Sequence, residues 1–399
     1  MERLSARLLL VVFCPFAAGY FLSFFFRNVN AVIARDLAGE FSLSAADLGF
    51  LTAMYLLAFA AFQLPLGVLL DRYGPRRVVA ALLCVAGVGA LVFGLARDFT
   101  MLSVGRALIG LGVSGGLMGA IKAFTLWFPL PRLALLNGVY LAAGGVGSLS
   151  ATAPAEAFIG PFGWRALFYL LAGLSLAAAS LVFFVVPEKR LPGQGQTLRA
   201  QIAAFRLIFA SRDFWRIALA MVVCHAAYLS LSGLWLAPWL ADVAGLGRSG
   251  IANHLFLTVL AYIAGSAFFG LLGERLPTMT VFKLGLAISV LMFALLAAGV
   301  HAGLGAILVI YAFCNISASL GYPLMTKLFP IEMTGRVNTA SNLLMFAFAF
   351  CFQWGTGAVL GLFPAGSGRY APEGYATAFG LLVLLQLATL AWLAPARQK

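Results

Sequence analysis

The sequence predicts an all-α polytopic membrane protein, with twelve transmembrane helices in two six-helix bundles. Three observations carry that prediction. Hydrophobic residues fill 63% of the 399 positions and charged residues only 10%, against ~25% charged in an average soluble domain. Such a chain cannot cover its surface with polar groups, so lipid must be its solvent. Apolar runs recur along the whole length, each about the ~20 residues a helix needs to cross the hydrocarbon core of a bilayer. Basic residues collect in alternate loops, as the positive-inside rule requires.

The predicted helices cover about 8–33, 46–70, 77–96, 101–126, 133–157, 164–186, 215–242, 249–273, 279–299, 303–327, 336–360 and 372–394. The stretch before the first run is too short for a cleavable signal, and that run is too long for a signal-peptide core. The first helix is therefore expected to stay in the membrane. One long polar segment interrupts the pattern, giving a bundle over 1–187, a cytoplasmic linker over 188–214 and a second bundle over 215–399.

The basic loops hold Arg3 and Arg7, then Arg72, Arg76 and Arg77, then Arg132. The linker region adds Lys189, Arg190, Arg199, Arg206, Arg212 and Arg216, and later loops Arg275, Lys283, Arg336, Arg397 and Lys399. This asymmetry puts both termini and the linker in the cytoplasm, here of a bacterial inner membrane. The net charge of +13 is then topology and attraction to anionic lipid, with no nucleic-acid partner. Cys14, Cys84, Cys224, Cys314 and Cys351 lie in apolar runs without ligand-like spacing and read as small packing residues. The three histidines are scattered, so neither a metal nor a cofactor is expected. No GK[ST] phosphate loop, nucleophile elbow or other enzyme motif occurs. Without a soluble ATPase domain, any transport is secondary, and a monomer is expected.

The two halves look alike. "GVLLDRYG" (67–74) follows the second helix as "GLLGERL" (270–276) follows the eighth. "WFPLPRLALLNG" (127–138) likewise matches "LFPIEMTGRVNT" (328–339), and Asn137 falls on Asn338. Many transporters build a substrate site from such repeated bundles. "GVLLDRYGPRR" resembles the signature loop of the major facilitator superfamily, with Gly67, Asp71, Arg72, Gly74, Arg76 and Arg77 on its key positions. "RALIGLGVSGG" (106–116) resembles that family's fourth-helix motif through Arg106 and Gly110. The resemblance implies alternating access, a loop that latches the cytoplasmic side, and an Arg106 that organises charge near helices 1 and 4. Asp71 is placed to face a helix N-terminus, that of helix 11 near Arg336 being the expected one. Arg106 is expected to pair with an acidic residue.

Charges inside the predicted spans are one-sided: Arg27, Arg106, Lys122 and Lys327 are all cationic, and no Asp or Glu sits mid-span. An intramembrane arginine costs at least ~2.5–3.5 kcal/mol and by default marks a pathway. That balance points to an anion. Tyr20, Ser23, Arg27 and Asn30 share one helical face, and His225, Tyr228, Ser232 and Trp235 share another on helix 7. Lys122, beside Gly115 and Gly119, reads either as a second anchor or as a snorkelling lysine; Lys327, nearer its helix end, reads as snorkelling. Gln63, Asn338, Asn342 and Gln353 either orient substrate or bond across helices. "FRNVNAVIARDL" (26–37) also resembles the first helix of the organophosphate antiporters and anion–cation symporters, which implies that Arg27 grips an anionic group. The phosphate exchangers add a helix-7 arginine, where this chain has Ser230 or Ser232. One guanidinium suits a carboxylate by bidentate hydrogen bonding.

The expected function is secondary transport of a small carboxylate-type anion, by proton symport or anion exchange. His225, with an unperturbed pKa of about 6.5, and Glu156 are the proton-coupling candidates. Drug efflux by proton antiport is the rival, weakened because helix 5 lacks a Gly-Pro signature. A transport-inactive membrane sensor is the second rival.

Overall fold

The computed structural model describes residues 6–189, 205–330, 333–365 and 369–394. Most of the predicted linker, including Arg190 and Arg199, lies outside these residues, as do Arg3, Arg397 and Lys399. Twelve long helices form among the described residues. They are α1 (Ala6–Phe41), α2 (45–73), α3 (75–94), α4 (Phe99–Trp127), α5 (130–162) and α6 (164–184). The rest are α7 (Arg212–Asp242), α8 (Arg248–Arg275), α9 (Thr278–Ala297), α10 (Leu304–Thr326), α11 (Thr334–Leu360) and α12 (Pro372–Leu393). Among the described residues eleven helical spans are long and apolar enough to cross a membrane, and Leu135–Ser150, within α5, is a shorter apolar one. Large apolar side chains such as Phe184, Leu284, Leu291 and Leu384 are more than half exposed, as a lipid-solvated surface allows.

Local chemistry sets the boundaries. Ser44 and Asp47 cap α2 reciprocally: Ser44 N donates to Asp47 Oδ2 (3.1 Å) and Asp47 N to Ser44 Oγ (3.2 Å). Asp98 accepts from Met101 N at 2.8 Å to start α4, and Ser211 caps α7 through Phe214 N. Gly74 turns the chain between α2 and α3 at φ +80, a backbone angle that side chains disfavour. α1 runs eight residues beyond its predicted end at 33, and its added turns carry Arg35 and Asp36, each in an ion pair. α5 and α6 also run closer together than predicted, parting at Gly163.

The chain divides into two compact units, Met1–Val29 with Met54–Ala200 and Asn30–Ala53 with Gln201–Lys399. The outer turns of α1 and the first of α2 thus group with the second unit. In the first unit, Tyr20 of α1 stacks on Tyr140 of α5 at 4.3 Å, and Phe93 of α3 meets Phe168 of α6 at 4.3 Å. Gly110 lets α4 approach α2 so closely that a Cβ there would lie 2.2 Å from the Tyr55 carbonyl oxygen. In the second unit α7 is the central helix, with Trp235 and Trp239 fully buried. Phe293 of α9 joins Tyr311 of α10 and Phe379 of α12 at 5.5 and 5.3 Å. The start of α2 lies on α11, where Phe50 meets Trp354 at 5.9 Å. Cys224 and Cys314 are buried, whereas Cys14, Cys84 and Cys351 are exposed on their helices.

Candidate functional site

Arg27 sits half-buried on α1, its guanidinium 4.6 Å from the Phe24 ring centroid and 5.4 Å from that of Phe59. The faces of aromatic rings stabilise a cation held against them. The backbone that carries Arg27 is tied down on three sides. Tyr55 OH of α2 donates to the Ser23 carbonyl at 3.1 Å, and Arg106 Nη1 of α4 donates to the Phe26 carbonyl at 3.1 Å. Asn28 Nδ2 donates to Ser148 Oγ of α5 at 3.1 Å and to the Phe24 carbonyl at 2.9 Å. Each helical carbonyl has a second lone pair to spare, so these bonds add to the helix rather than break it.

The rest of the α1 stripe is engaged elsewhere. Tyr20 and Ser23 are buried, and Asn30 is buried with its Nδ2 donating to Thr52 Oγ1. Arg106 is wholly buried. Its expected acidic partner is replaced by the Phe26 carbonyl and by the Tyr55 and Phe93 rings, 5.3 and 5.9 Å from the guanidinium carbon. Its Nε and Nη2 have no hydrogen-bond partner among the described residues. Gln63 donates to the Ser114 carbonyl at 3.3 Å. Glu156 lies in the first turn of the helical stretch that begins at Ala153, half-buried.

The loop after α2 is a network of its own. Asp71 pairs with Lys122 of α4, an ion pair between residues that sequence analysis treats separately. Arg77 grips Glu188 through both carboxylate oxygens, at 2.9 and 3.0 Å. Arg76 Nε donates to the Phe183 carbonyl at 2.7 Å, and Arg72 lies over the Tyr73 ring.

In the second unit, His225 of α7 is the centre of a polar cluster. Its Nδ1 meets Asn315 Oδ1 of α10 at 3.2 Å and its Nε2 meets the Tyr262 hydroxyl of α8 at 3.4 Å. Tyr228 stacks on Tyr262 at 4.8 Å, nearly parallel. Ser232 lies in a π-helical turn, Leu231–Trp235, that widens α7. Asn342 accepts a hydrogen bond from Tyr322, and Gln353 is buried with its backbone carbonyl accepting from Trp235 Nε1 at 2.8 Å. Tyr55, Tyr262 and Asn315 escape sequence analysis because no helical stripe marks them; their roles arise from neighbours distant in sequence. Among the described residues no group of three His, Cys, Asp or Glu side chains could hold a metal ion.

The family model described as Major Facilitator Superfamily matches residues 16–353. The chain belongs to the major facilitator superfamily. Members of this superfamily are transporters rather than enzymes, and the fold is shared with solved members. The chain superposes on the nucleoside transporter NupG with a TM-score of 0.78, at 13% identity, covering 96% of this chain and 99% of that one. A bacterial homologue of the lysosomal transporter Spinster, inward-facing and occupied, gives 0.75 at 18% identity, covering 96% and 94%. Among curated proteins, the probable sulfoacetate transporter SauU of Cupriavidus necator is 25% identical over 388 residues, 93% of this chain and 82% of that protein. The probable nitrate/nitrite antiporter NarK1 of Thermus thermophilus is 30% identical over 228 residues, 54% of this chain and 50% of that protein.

Proposed function

We propose that this major-facilitator protein moves a small organic anion across a bacterial inner membrane by alternating access, with both termini in the cytoplasm. The observation that carries the reading is Arg27. A permanently charged guanidinium lies within a membrane-spanning helix against two aromatic faces, and α2, α4 and α5 fix the turn that bears it. Two relatives whose names specify anions, sulfoacetate and nitrate or nitrite, support the same sign of substrate. Sulfoacetate carries a carboxylate with two oxygens and a sulfonate with three, and each can present two of them to a planar guanidinium bidentately.

Lys122 would have to leave Asp71 before touching an anion, so Arg27 carries the reading alone. Tyr20, Ser23 and Asn30 then act as packing and register for α1. Gln63 in the first unit, and separately Tyr228, Ser232, Asn342 and Gln353 in the second, are the neutral groups proposed for substrate contact. Coupling is by a proton taken up at His225 rather than at Glu156, with anion exchange as the alternative. A second reading, efflux, is favoured by the 31% identity over 183 residues to the efflux pump aflT of Aspergillus parasiticus, 45% of this chain and 33% of that pump.

The test is uptake into proteoliposomes of labelled sulfoacetate, monocarboxylates, dicarboxylates, phosphate esters and nitrate, with and without an imposed pH gradient. Saturable flux of a carboxylate or sulfonate supports the anion reading. Resistance to cationic dyes with no anion flux moves the protein to efflux. Ligand binding without any flux points to a sensor.

A further inference from the structure

The His225 cluster determines more than a location. Asn315 has two amide hydrogens, and both have takers: Nδ2 donates to the Cys224 carbonyl at 3.1 Å and to Ser289 Oγ of α9 at 3.2 Å. A backbone carbonyl can only accept, so turning the amide over would set oxygen against oxygen at Cys224. The amide orientation is thereby fixed, and Oδ1 is the atom left to face His225 Nδ1. An amide oxygen can only accept, so Nδ1 must carry the hydrogen. In the neutral imidazole one nitrogen bears hydrogen and the other a lone pair. The lone pair is left on Nε2, which faces the Tyr262 hydroxyl.

We infer that Asn315 is a positioning residue that locks His225 in its Nδ1–H form, making Nε2, beside Tyr262, the atom that takes up and releases a proton. The inference rests on the proton-coupled form of the proposed function. A proton arriving from water adds to the Nε2 lone pair and no other bond breaks. Tyr262 then turns its hydroxyl so that its oxygen accepts from Nε2–H, while the Nδ1–H bond to Asn315 is kept in both states. Titratable groups packed about the ring among the described residues include the phenols of Tyr228 on the same helix, Tyr262 on α8 and, against Tyr228, Tyr311 on α10. All are neutral groups at physiological pH. Tyr228 and Tyr262, stacked with an interplanar angle of 9°, hold the ring's surroundings fixed while the charge comes and goes.

The test is a histidine-selective 15N spectrum of the full-length protein in nanodiscs across a pH titration. The His225 signals are assigned by their loss in His225→Gln. The expected result is an Nδ1–H imidazole at high pH and a change confined to Nε2 on acidification. A resting Nε2–H form, or a mixture of the two, overturns the inference. A second arm uses Asn315→Leu, which is expected to give mixed tautomers and to flatten the pH profile of sulfoacetate uptake, with apparent KM held within twofold. An unchanged tautomer in that variant also overturns it. Absence of proton flux with the Nδ1–H form intact would instead remove proton coupling from the proposed function and leave the tautomer assignment standing.

Discussion

Arg106 shows how a charge can serve another charge. It is fully buried and two of its nitrogens lack hydrogen-bond partners among the described residues, an arrangement whose desolvation penalty is large. Its Nη1 donates to the carbonyl of Phe26, the residue before Arg27. We therefore expect Arg106→Met to keep or raise the melting temperature, because it relieves a buried charge. The same change should raise the apparent KM for anion uptake several-fold, because the α1 turn loses its tether. A melting curve and an uptake titration on the same preparation check both halves. An unaltered KM would separate Arg106 from Arg27. The sequence marks Arg106 through its motif but points to an acidic partner, since neither the Phe26 carbonyl nor the Phe93 face is signalled by residue type.

Helix ends carry two networks of different worth. Arg77 and Glu188 are both substantially exposed, so breaking that pair by Arg77→Ala should cost no more than about 1 kcal/mol, measured by thermal unfolding. Asp242, at the end of α7, is a different case. Its side chain is only 4% exposed and accepts from Arg35 of α1 at 3.2 Å, from Tyr375 OH of α12 at 2.8 Å and from Tyr370 N at 3.3 Å. Beside it Asp36 and Arg248 pair through two hydrogen bonds. Asp242→Ala takes the acceptor from the buried Tyr375 hydroxyl and should lower the melting temperature clearly more than Arg77→Ala does.

Burial, with the carboxylates of Asp242 and Asp47, pushes the Tyr370 phenol up to about 12. The folded state thus holds that proton above the ordinary phenol value near ~10, so this contribution to stability is intact below pH ~10 and is lost as pH rises towards 12. Tyr370→Phe should flatten the fall in melting temperature across that interval, and an unchanged slope would count against it. None of this clasp is readable beforehand: Arg35, Asp36, Asp242 and Arg248 look like ordinary loop charges until α1 is seen to continue to Phe41.

For the molecule as a whole, the architecture was legible because lipid imposes a simple rule on sequence. Each span needs a long apolar run, and Gly-Pro at 74–75 or a serine or aspartate cap marks where a run stops. The twelve helices accordingly fall close to their expected places, apart from the long α1 and the α5–α6 turn at Gly163. The site was legible only as types of residue. One-sided charge pointed to an anion, but the pairing of Lys122 with Asp71 and the fixed amide of Asn315 depend on which helices become neighbours. Periodicity within one helix does not encode that.

The central claim is that Arg27 holds the anion. Its most direct measurement is counterflow of labelled sulfoacetate, and of the best carboxylate of the panel, in proteoliposomes containing the parent protein, Arg27→Lys or Arg27→Ala. Lysine keeps the charge but loses the planar pair of donors. Flux should therefore fall at least tenfold in Arg27→Lys and to background in Arg27→Ala, with both variants folded by melting curve. Counterflow by Arg27→Ala at the parent rate would contradict the account.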